Sequence, residues 1–219
     1  RCYDPVTESC QKSVELALHK GSVLTQAFDG DLFFDPEMVV NGSGLPYKVF
    51  TPFWKACQRH GLDASVSQSP QHLPAPQTWP YSSSIDDLGL VAVKNWTQGL
   101  TEKWTPGESN AVKELEKFAG TAMDAYSAKR DYPATSSTST LSPHLSFGEI
   151  SPKQILRHVR SFPGNRSEAF VRQLGWREFS SYLLYHFPNL NDTPLREQFK
   201  DFGWLVDENG LRSWQRGQT

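Results

Sequence analysis

Two groups of residues in this sequence have the types and spacing to bind and orient a ligand. The run Thr135-Ser136-Ser137-Thr138-Ser139-Thr140-Leu141-Ser142 places hydroxyl after hydroxyl in front of Pro143, a residue suited to the first turn of a helix. A helix N-terminus exposes unpaired N–H groups and a partial positive charge, and adjacent hydroxyls add donors, so such a run can hold a phosphate. On composition alone the same run also describes a flexible Ser/Thr loop with a capping serine. Further on, Phe170, Gln173, Leu174 and Arg177 recur at helical spacing, and Trp176 lies three residues past Gln173. That spacing brings an amide, an indole and a guanidinium to one wall. The plainer alternative puts Trp176 in a core and pairs Arg177 with Glu178.

Other chemistries have less to stand on. The six His show no pair at i, i+4, so no metal centre is expected. With 24 acidic against 22 basic residues the net charge is -2, so any nucleic-acid contact must be a local patch rather than a global field. Three cysteines, Cys2, Cys10 and Cys57, form neither an even set nor a metal-type spacing, and no apolar run reaches membrane length. These features favour a reducing, intracellular (cytoplasmic) setting without a membrane partner. Aromatic residues are 12% of the chain, enough to stack on a flat ligand or to fill a large core.

The elements that must position these groups read as follows. Residues 7–20 have helical periodicity ending at Gly21, and Ser22 to Phe28 carry the β-branched and aromatic bias of a strand. Thr51-Pro52 opens a helix that ends at Gly61. Residues 1–62 are therefore expected to be the end of an α/β domain, and 63–110, rich in Pro, Ser and Gln, a connector. Residues 111–219 are expected to be all helix and loop. Thr105 to Glu108 has the pattern of a capping box, followed by a helix running to Lys129-Arg130. Ser142-Pro143 and Ser151-Pro152 each open a further helix, the latter with Gln154 at its third position and Ile150 placed to staple onto Ile155. Glu168 to Phe187 is apolar almost all round, as a buried helix is.

In its motifs the chain resembles the photolyase/cryptochrome family. The residues that carry the likeness are Tyr126, Arg130-Asp131-Tyr132-Pro133, Thr138-Ser139-Thr140-Leu141-Ser142-Pro143, Phe147-Gly148-Glu149-Ile150-Ser151-Pro152 and Leu174-Gly175-Trp176-Arg177-Glu178-Phe179. The likeness extends to Arg1-Cys2-Tyr3-Asp4-Pro5, Tyr47 to Phe53, Ser84 to Leu90, Trp104 to Glu108 and Trp214 to Gly217. It implies the end of a Rossmann-like antenna domain, a linker, and the first part of an all-α FAD-binding domain, together an interior piece of a longer protein. It implies FAD contacts from Tyr126, Thr138, Ser139, Thr140, Leu141, Ser142, Phe170 and Arg177. It assigns UV-damaged DNA to Arg130, Gln173, Trp176 and Arg177, with Trp176 stacking on a flipped pyrimidine dimer.

The implied activity is light-driven repair of pyrimidine dimers by electron transfer from reduced FAD, a deoxyribodipyrimidine photo-lyase, in a monomer. A cryptochrome photosensor with the same cofactor and a flavin-free DNA-binding or scaffolding protein are the alternatives. The piece alone is expected to be inactive. Three positions depart from the family pattern. Ser137 stands for a Gly, Thr140 for an Arg, and Gln173 for the Glu usual in enzymes acting on cyclobutane dimers. The antenna pigment is open, because Gly42-Ser43-Gly44-Leu45-Pro46 occupies the stretch where the family's folate-binding Glu would fall.

Overall fold

A computed structural model describes residues 3–90 and 98–219; Arg1-Cys2 of the N-terminal motif and residues 91–97 of the connector lie outside them. Among the described residues the protein is helical and contains no strand. The expected α/β part is thus corrected. Residues 23–30 form no strand, and Leu24 and Phe28 face solvent at 97% and 70% exposure. β-branched and aromatic residues favour a strand only where a neighbour supplies the hydrogen-bond ladder and a face to pack on. No second strand lies among the described residues. The first helix, α1 (Pro5–Lys20), is capped by the Asp4 carboxylate and buries none of its residues.

Helix α2 spans Phe50–His60 and ends at Gly61, whose φ of 83° only glycine adopts without strain. Next come α3 (Gln98–Lys103) and α4 (Glu108–Thr121). The expected capping box does not form. Helix α4 starts later, at Glu108, and the Gly107 N–H is satisfied instead by Glu149 Oε1 at 2.8 Å. Hydrogen bonds from His144 and Gly107 hold the Glu149 carboxyl below its usual range. The helix expected to reach Lys129 breaks after Thr121 and resumes as α5 (Tyr126–Lys129). Then follow α6 (Ser142–Ser146), α7 (Pro152–Arg160), α8 (Glu168–His186) and α9 (Glu208–Gln215). The capping box Ser151/Gln154 is present at the start of α7, and Ile150 and Ile155 are both buried beside it.

One core lies among α4, α7 and α8, with Phe33 inserted into it; a second, aromatic core joins α2 to α8 through Phe50, Phe53, Trp54, Phe179 and Tyr182. Residues 33–57 therefore share their cores with the helical part. Two polar contacts lock them. Glu178, 3% exposed, accepts hydrogen bonds at 3.0 Å from the N–H groups of Phe33 and Phe34, and Tyr182 Oη donates to Val39 O at 2.7 Å while accepting from Tyr47 N at 2.9 Å. Residues 67–90, by contrast, are exposed throughout.

Candidate cofactor and substrate cavity

The hydroxyl run and the α8 face, distant in sequence, meet in space. Tyr126, Thr138, Ser139, Thr140 and Ser142 line one cavity together with Phe170, Gln173, Trp176 and Arg177 of α8. Its volume of about 710 Å³ falls in the range of small-molecule and cofactor sites. Two of the expected residues stand outside its wall. Leu141 is 1% exposed and belongs to the core, anchoring the loop from behind. Arg130 reaches the site through Gln173, whose Oε1 accepts from Arg130 Nη1 at 2.8 Å.

The loop has a backbone suited to an anion. Thr140 sits at φ 54°, in the left-handed region, and Leu141 follows at φ -83°, ψ -5°. Successive residues of opposite helical hand turn their N–H groups to one side and form a concavity that binds phosphate oxygens. For a β-branched residue the left-handed conformation is costly, about 1–2 kcal/mol. Such strain persists only where the surroundings hold it. Here Thr140 Oγ1 lies 2.8 Å from the Ser139 carbonyl and 3.2 Å from Glu114 Oε2. Thr140→Gly is therefore expected to stabilise the protein by up to about 1 kcal/mol, since glycine removes the strain at a modest entropic cost. Thr140→Val keeps the strain and loses the hydroxyl, so it should lower the melting temperature. Thermal scans of the two variants check the opposite signs, and equal shifts would refute the strain.

On the opposite wall, Trp176 is 41% exposed and presents one ring face to the Phe50 ring, with centroids 3.7 Å apart and planes 10° from parallel. Phe50 thus holds the indole as a flat platform. Gly175 makes the close approach of α2 and α8 possible, because a Cβ there would fall 2.6 Å from the Trp54 ring. Arg177 does not pair with Glu178. Its guanidinium donates to the Asp31 carbonyl at 2.6 Å and to the Asp31 carboxylate. Glu178 is turned the other way, into the core, where burial pushes its carboxyl up to about 7 against the lowering effect of the Phe33 and Phe34 N–H groups and Arg177. Burial likewise raises the Tyr126 phenol, which stays a neutral donor in the cavity wall.

Sequence reasoning did not assign Phe50, Asp31 or Glu178 to this region. Phe50 lies in the quoted Tyr47 to Phe53 motif, but only contact shows that it backs Trp176. Among the described residues no three His, Cys, Asp or Glu side chains gather as a metal would need, and no helix is long and apolar enough to cross a membrane.

Comparison with known proteins gives a consistent picture. The family model described as DNA photolyase matches residues 1–77, and that described as the FAD binding domain of DNA photolyase matches residues 170–219. The deoxyribodipyrimidine photo-lyase of Agrobacterium fabrum is 36% identical, covering 100% of this chain and 47% of that protein. Cryptochrome-2 of Arabidopsis thaliana is 30% identical, covering 99% of this chain and 38% of its own length. The crystal structure of a bacterial class III photolyase from Agrobacterium tumefaciens superposes with a TM-score of 0.84 at 35% identity, over 99% of this chain and 46% of that one. The chain spans about half or less of the length of these relatives.

Proposed function

Since the chain belongs to the photolyase/cryptochrome family, we propose that it forms part of an intracellular, monomeric enzyme that repairs pyrimidine dimers in DNA under light, with FAD as its cofactor. The observation that carries this reading is the single cavity shared by the hydroxyl loop and the Gln173, Trp176 and Arg177 face. The residues present fit a flavin dinucleotide at its phosphates. Thr138, Ser139 and Ser142 supply hydroxyls, and the left-handed turn at Thr140 supplies N–H groups. Tyr126 and Phe170, edge to face at 5.4 Å, add apolar wall. Reduced FAD, when bound, supplies the light-driven electron.

The chain's own residues bind and orient. Trp176, backed by Phe50, offers its open side to a base taken out of the stack. Gln173 accepts from Arg130 through its carbonyl, which leaves its amide nitrogen to donate toward pyrimidine carbonyl acceptors. The ion pair with Asp31 holds Arg177 at the cavity rim, where it contributes charge without swinging into the site. A photosensor reading, in which the cofactor drives a conformational signal, is favoured by one observation: a neutral Gln at position 173 in place of a carboxylate.

Trp176→Ala distinguishes the two. In a repair enzyme it should weaken binding to dimer-containing DNA by about 1–3 kcal/mol, the usual worth of one base on one ring. Undamaged DNA should be bound as before, because phosphate contacts carry that affinity. Gel-shift titrations on irradiated and unirradiated duplex read the ratio, and an unaltered ratio would favour the photosensor.

A further inference from the structure

A second cavity, of about 430 Å³, adjoins the first and shares Thr138, Ser139 and Thr140 with it. We propose that it is a separate binding site for a small phosphate-bearing anion, held by Lys103, Lys113 and Lys117. It shares Thr138, Ser139 and Thr140 with the flavin cavity and differs from it by the lysines.

Helix α4 presents one polar stripe to the cleft: Asn110, Lys113, Glu114, Lys117 and Thr121 all line it. Lys113 and Lys117 are four residues apart, a spacing at which like charges repel and cost a helix stability. Lys103, from α3, adds a third ammonium. In a protein of net charge -2, three lysines against the one carboxylate of Glu114 leave a local positive surplus in this cleft that an anion would neutralise. Glu114, the carboxylate among them, is already engaged, accepting from Thr140 Oγ1 at 3.2 Å and pairing with Lys117 Nζ at 3.6 Å.

Trp104 adds an aromatic face to the same cleft. Thr135, Ser136 and Ser139 bring hydroxyls from the facing wall. Compact ammonium groups rather than guanidinium forks suit a phosphate approached as a point charge. Their convergence on a cleft, rather than along a surface, favours a small molecule over a nucleic-acid backbone.

The test is calorimetric titration of the 219-residue chain with inorganic phosphate, pyrophosphate and adenosine monophosphate at low salt. Saturable binding is expected, weakened tenfold or more in the Lys113→Gln/Lys117→Gln double variant and unchanged in Lys12→Gln, a lysine of α1 outside both cavities. Equal affinity for pyrophosphate and the nucleotide would assign the site to free phosphates, and tighter nucleotide binding would place its base against Trp104; both uphold the site. No saturable binding by any of the three would overturn it. So would binding that responds to Ser142→Ala but not to the lysines, because the anion then sits in the flavin cavity. A lysine dependence seen only with duplex DNA would overturn it as well.

Discussion

Glu178→Gln is expected to unfold less readily than the wild-type protein above pH 7 and to show no such advantage near pH 5. The buried carboxyl of Glu178 is pushed from its ordinary 4.5 up to about 7, chiefly by burial, with Asp31 adding to the rise and Phe33, Phe34 and Arg177 opposing it. Between those values the native protein holds a proton that the unfolded chain gives up. Stability from this group is therefore complete below pH 4.5 and is lost as pH rises through about 7. At about 1.4 kcal/mol per pH unit, the loss amounts to about 3 kcal/mol. Glutamine keeps an Oε1 that can accept from both Phe33 N and Phe34 N, and removes the titration. Cys57, its buried neighbour, is pushed up to about 12 by burial and by Glu178, so it does not titrate in this window. Denaturant unfolding from pH 5 to pH 8.5 measures the effect. A wild-type curve as flat as the variant's would show that the carboxylate is accommodated in its charged form. The same titration bears on the site, because the segment that Glu178 clamps to α8 also carries Asp31, the partner of Arg177.

The second large effect comes from two glycines with opposite outcomes. Gly175→Ala puts a methyl 2.6 Å from two Trp54 ring atoms and 2.9 Å from a third. Trp54 is buried and lies near-parallel to Phe50, with centroids 6.1 Å apart, so turning the ring would break this stack. Helices α2 and α8 must separate, and overpacking of this kind costs about 1–3 kcal/mol. Because Phe50 also backs Trp176, the variant should lose the proposed preference for damaged DNA along with stability. Gly120→Ala, in α4, meets nothing within 4 Å. It should gain about 0.5–1 kcal/mol from helix propensity alone. Urea unfolding of both variants reads the signs, and a Gly175→Ala protein as stable as the Gly120→Ala one would mean that the interface has slack.

By itself the sequence determined what local physics controls. Pro, Gly and Ser signals place the starts of α6 and α7 and the end of α2, and the Ser151/Gln154 box and Ile150/Ile155 staple need only neighbouring residues. Motifs in order identify the family, and the residues expected at the cavity lie within those motifs except Phe170 and Gln173, which helical spacing places on the same face as Leu174 and Arg177. Tertiary structure decided the rest. Residues 23–30 have strand-like side chains but no partner strand among the described residues, and strand pairing is not a local property. The N-terminus of α4 is satisfied by Glu149 rather than by Thr105, because a carboxylate brought in by a distant loop competes with the adjacent hydroxyl. Arg177 pairs with Asp31 and not with the neighbouring Glu178, because consecutive helical side chains diverge by about 100° and only one of the two can face the cavity. No sequence spacing predicts that Phe50 would stack on Trp176 or that lysines of α4 would stand across from Thr140. The Phe50–Trp176 stack exists because two helices far apart in the chain pack closely where Gly175 leaves room for Trp54.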